Sequence, residues 1–122
     1  MKSFIAMLIL LCLALAGIGV NFFYVNSFAD RMERLITDLP DIQSPDCVSA
    51  AEQIHAYWEE NAPLLGLSIG YSIIDRVGEQ SCVLVACAEV GDVYGFYSAA
   101  ALLLDAVGDL RRAERFSIEN LL

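Results

Sequence analysis

From Phe4 to Val25 the chain reads FIAMLILLCLALAGIGVNFFYV, without a single charge. As a helix that stretch is about 33 Å long, against a bilayer hydrocarbon core of roughly 30 Å. Its thirteen Leu, Ile, Val and Phe residues favour insertion by about 4–8 kcal/mol together. A run this long and apolar has no place inside a small soluble domain. We therefore expect residues 4–25 to have the lipid bilayer as their partner. Residues 1–29 read as a signal-anchor and residues 30–122 as one acidic helical bundle domain. The fold expected is all-α, with the N-terminal transmembrane helix continuing into a bundle of three to four helices.

A cleaved leader is the rival reading. Ala14-Leu15-Ala16 has the small-x-small form of a cleavage site. Cutting there would leave a mature chain starting on the apolar GIGVNFFYV. Ser27-Phe28-Ala29 also fits, but the apolar region before it is too long. Retention is the better reading. Cys12 follows Leu11, where lipid attachment needs a small residue, so a lipoprotein is not expected. Lys2 lies before the span and Arg31 and Arg34 after it, which leaves the charge bias nearly balanced. The short N-terminal tail still favours export of residues 30–122, giving a single-pass protein of the cell membrane with an extracytoplasmic domain.

Beyond the anchor, sixteen acids face six arginines, and the whole chain carries a net charge of −9. Nucleic acid is excluded as a partner, since phosphate contacts need a basic face. Cys47, Cys82 and Cys87 show neither CxxC nor metal-ligand spacing. They read as small buried residues, with one disulfide from Cys47 to Cys82 or Cys87 open in an oxidising space.

Hydrophobic spacing orders the rest. Phe28, Met32, Leu35 and Leu39 form one helical stripe, so the anchor helix is expected to run on to about Leu39 before Pro40. Asp46 suits the N-cap of a second helix over Cys47–Asn61, with Val48, Ala51, Ile54 and Trp58 inward and Asn61-Ala62-Pro63 as its break. Leu64 to Tyr71 reads as either a packed loop or the start of a third helix. From Ser72, Ile74, Val77, Ser81, Leu84 and Ala88 keep a helical rhythm. The run Cys82–Ala88 is apolar all round, which predicts the most buried helix, with a buried strand as the competing reading. Gly91-Asp92 is a stop and a new N-cap. A last helix is expected over Val93 to about Arg112, with Phe96, Ala100, Leu103, Val107 and Leu110 inward. Arg111, Arg112 and Arg115 would suit its C-terminal dipole. Ser117 would cap a final short turn over 118–122. Neither 61–74 nor 93–104 is long enough to be a second span.

No constellation names a reaction. Glu52, His55 and Glu59 share one helix face, and Glu-x-x-His is half of a di-iron pattern. The full pattern needs a second histidine, and the chain has one. Nucleophilic catalysis at His55 would need a nearby Ser or Cys and an orienting acid, and no family signature surrounds any of them. Asp105 and Asp109 read as a solvated edge, with Arg112 a candidate partner. Gly66, Gly70 and Gly78 lack the spacing and lysine of a phosphate loop. Trp58, Tyr57, Tyr71, Tyr94 and Tyr97 read as core rather than a ligand pocket. We expect no catalytic residue, cofactor-binding residue or metal ligand.

The short anchor, Trp58 in the second helix and the tail Asp109–Leu122, DLRRAERFSIENLL, resemble domain-of-unknown-function family 4363. Its members are small anchored helical proteins of spore-forming Gram-positive bacteria, with no assigned activity or catalytic residues. The resemblance implies a gene neighbour encoding a larger membrane protein, hence a partner in the membrane. The function expected is non-enzymatic: an anchored bundle for protein–protein interaction, with Phe116–Leu122 as the docking element. The alternative expectation is a bundle that senses a small ligand or cation between its helices.

Overall fold

The computed structural model describes residues 1–121, without the side chains of Ser117 and Leu121. It contains four helices: α1 (Lys2–Thr37), α2 (Cys47–Leu65), α3 (Tyr71–Val90) and α4 (Val93–Leu121). No strand occurs among the described residues, so the all-α expectation holds and the strand reading of Cys82–Ala88 does not. Consecutive helices pack as antiparallel neighbours, and α4 closes the bundle against α1. Most of the N-terminal half of α1 projects beyond the other three, its side chains exposed.

In α1 the inward residues are Val25, Phe28, Ala29, Met32 and Ile36. One unbroken helix therefore passes from the apolar run into the core, and the bundle begins inside residues 1–29 rather than after them. The helix ends at Thr37 instead of Leu39. Pro40 disfavours helical backbone at the residue before it, and Leu39 packs on the core only in part. The helices long and apolar enough to cross a membrane are α1 and α4. The apolar window of α1 is wholly unburied, whereas one third of that of α4 is buried. Leu103, Ala106, Val107 and Leu110 of α4 sit in the bundle core.

The remaining boundaries depart from expectation for identifiable reasons. α2 runs past Asn61 to Leu65 with Pro63 inside it. Proline removes the bond its N–H would give to the Glu59 carbonyl and crowds that carbonyl, yet the helix runs two residues further and buries Leu65. Asp46 holds the N-cap position without a side-chain cap bond, because its backbone is helical (φ −87°, ψ −4°) rather than extended. Its N–H bonds Ser44 Oγ at 3.2 Å. α3 buries Ile74, Val77, Ser81, Leu84 and Ala88, as the spacing predicts. It is not buried all round: Cys82, Val83 and Ala86 are exposed, since α3 packs against α2 and α4 only.

Gly91 ends α3 in the left-handed region at φ +73°, the usual helix stop for a residue without Cβ. Asp92 Oδ1 then accepts the Gly95 N–H at 3.0 Å, the N-cap expected of it. α4 does not stop at Arg112. It continues to Leu121, so Arg111, Arg112 and Arg115 do not lie in its last turn and no cap falls at Ser117. Glu114 prolongs the stripe of Leu103, Val107 and Leu110 along α1, and that contact carries the helix onward. Of the tail Phe116–Leu122, Leu122 lies outside the described residues.

Candidate functional site

The densest polar cluster lies between α2 and α3, around the one histidine. His55 Nδ1 is 2.7 Å from Ser81 Oγ, and Nε2 is 2.9 Å from Glu59 Oε1. Cys82 Sγ sits 3.7 Å and 3.8 Å from the two ring nitrogens. Trp58 stacks on the imidazole, with ring centroids 5.6 Å apart. The Trp58 indole N–H bonds the Ile74 carbonyl at 3.0 Å. A Cβ on Gly78 would come within 2.4 Å of the Trp58 ring, so only glycine leaves the indole its seat. The structure thus brings together a serine, a cysteine and an acid about His55, which linear spacing did not reveal. Ser81 could have been found as the one polar residue on α3's inner stripe.

The geometry does not make this a nucleophile site. Ser81 is fully buried, and its hydroxyl donates to the Gly78 carbonyl at 2.8 Å. That proton cannot also serve His55, so the serine accepts from an Nδ1–H while Gly78 holds it. The Cys82 sulfur is almost equidistant from both nitrogens, so it lies in line with neither N–H. The adjoining hollow, about 230 Å³, is lined by Glu52, His55, Cys82, Val85, Ala86 and Glu89. No group of three or more His, Cys, Asp or Glu among the described residues is arranged to hold a metal ion. The cluster's evident work is to clip α2 to α3.

A second polar system joins α1 to α4. Arg111 Nε donates to Glu33 Oε1 at 3.0 Å, Nη1 to Asn26 Oδ1 at 3.4 Å, and Nη2 to Asp30. One turn closer to the projecting end, Asn21 Nδ2 donates to Oε1 of the buried Glu114 at 2.9 Å. On the neighbouring seam Tyr24 donates to Asn61 Oδ1 at 2.6 Å, tying α1 to α2. Sequence reading missed this seam. The signals were Asn21 as a polar residue in an apolar run and Glu114 on the inner stripe of α4.

The remaining candidates scatter. Asp109 pairs with Arg112, as expected, and also with Arg76 of α3; Asp105 is exposed. Tyr57 stacks on Phe28 at 5.1 Å, under Arg31. Tyr94 and Tyr97 line an open hollow at the α3–α4 turn, one α3 length from Tyr71. All four cysteines are free thiols. Cys47 alone of the three in the bundle is buried, so Cys82 and Cys87 depart from the buried reading. Burial pushes the Cys47 and Cys87 thiols up, with Asp41 and Asp92 adding to it, opposite to what attack requires. Compared with family models, curated proteins and solved structures, the chain matches none.

Proposed function

We propose that the protein is a non-enzymatic, single-pass membrane protein whose acidic bundle stands outside the cytoplasm and binds a partner in the same membrane. The carrying observation is that α1 is one unbroken helix, with an exposed N-terminal half that has no charge after Lys2 and a C-terminal half packed into the bundle. Such a helix transmits position rigidly from bilayer to bundle. Phe116, exposed on α4 beside the anchor, supports a docking role for this end of α4. The kinship with family 4363 belongs to the same proposal.

Cys82 offers a direct test because its thiol is exposed, whereas Cys47 is buried. Intact cells are treated with a membrane-impermeant thiol reagent, and membranes are then washed with alkaline carbonate. The expected result is Cys82 labelled before lysis and the chain retained in the pellet. Labelling only after lysis would refute the outward topology. Release by carbonate would refute the anchor. Partner binding is tested by detergent co-purification of the full chain against Phe116→Asp, with equal recovery of a membrane protein refuting the docking role of α4.

A further inference from the structure

We propose that the α2–α3 connection is a second lipid-binding element, a loop seated in the boundary between headgroups and acyl chains beside the anchor. The inference rests on the anchor reading above. In an antiparallel bundle, the α2–α3 connection and the end of α4 lie at the anchor end, and the other two connections lie at the far end. The Tyr24–Asn61 bond fixes the level: Asn61 stands beside the aromatic group Phe22, Phe23 and Tyr24. Leu64 and the turn that follows lie about one helical turn nearer the bilayer.

The side chains at this end suit lipid. Leu64 is 55% exposed, Leu67 83% and Tyr71 73%. No charge occurs from Asn61 to Ile74. At the far end the connections carry Asp38, Asp41, Asp46 and Asp92, with Glu89 in the last turn of α3. The connections at the two ends therefore differ in kind, the α2–α3 connection uncharged with exposed leucines and the far pair strongly acidic, while Arg115 and Glu119 are the exposed charges on the end of α4 beside it. Tyrosine with exposed leucine is the composition of a membrane interface. The occupant is zwitterionic lipid, because nothing in the loop would attract an anionic headgroup. Rigid continuity of α1 holds the loop at that depth once the anchor is inserted.

Tryptophan placed by single substitution into the full chain, in phosphatidylcholine nanodiscs, tests this. Bromines on the acyl chains quench tryptophan by contact, and emission is read as the increment over wild type, which contains Trp58. Leu13→Trp reports the anchor, Leu67→Trp the loop, and Tyr94→Trp the far end. The expected result is loss of the added emission at positions 13 and 67 with none at 94, and a blue-shifted maximum at 67. Quenching at 13 but not at 67 would overturn the loop proposal alone. No quenching at 13 would overturn the anchor reading and this proposal with it. Tyr71→Trp repeats the measurement from the other side of the turn; quenching at neither 67 nor 71 contradicts the proposal whatever the fold tolerates at either position.

Discussion

Gly78 is the residue whose identity the α2–α3 interface depends on most closely. Alanine there gains helix propensity of about 1 kcal/mol. Its Cβ meets an indole held by the Ile74 carbonyl on one edge and by His55 on its face. Overpacking of this kind costs about 1–3 kcal/mol. Gly78→Ala is therefore expected to be net destabilising in chemical denaturation, with a shifted Trp58 emission. A stabilised variant would show that the indole has room to move. Asp109 gives a pH signature. Hydrogen bonds from Arg112 and then Arg76 hold its carboxyl below the ordinary 3.8. A depressed folded value stabilises the fold above the unfolded one and is lost as pH falls through the folded one. The melting difference between wild type and Asp109→Asn should thus be present at neutral pH and vanish as acid is added below about 3.8. A difference that persists undiminished at pH 2 would contradict the assignment.

Among the elements, α4 shows what a linear reading catches and what it misses. Its inner stripe was legible, because Phe96, Leu103, Val107 and Leu110 repeat at helical spacing and are buried, with Ala100 packed on the core only in part. Its length was not. Three arginines resemble a helix end, and nothing local reveals that Arg111 meets carboxylates some eighty positions earlier. Pro63 misled in the same way, since nothing local reveals that Leu65, two residues beyond it, is buried in the core. His55 was visible as a candidate, but its partners came from another helix at no recognisable spacing. The seam makes a graded prediction. Glu114→Ala leaves the Asn21 amide without its buried acceptor and is expected to cost about 1–3 kcal/mol. Arg111→Ala frees two carboxylates that water already reaches, for about 1 kcal/mol or less. Thermal melts of the full chain in detergent rank the two; the reverse order would contradict the burial assigned to Glu114.

At the scale of the whole molecule, one helix joins an exposed apolar run to a packed bundle. The charge-free run Phe4–Val25 and the core residues Val25–Ile36 overlap on one continuous backbone. With the anchor inserted as proposed, bundle and anchor would move as one body and the uncharged α2–α3 connection would face the lipid. A hinge between them would remove the basis for a fixed depth, a seated loop and a rigidly presented partner surface. Hydrogen exchange of the full chain in nanodiscs reads this directly. The account predicts slow exchange as one uninterrupted block from Phe4 through Ile36. Fast exchange across Asn21–Asp30, between two protected segments, would contradict it.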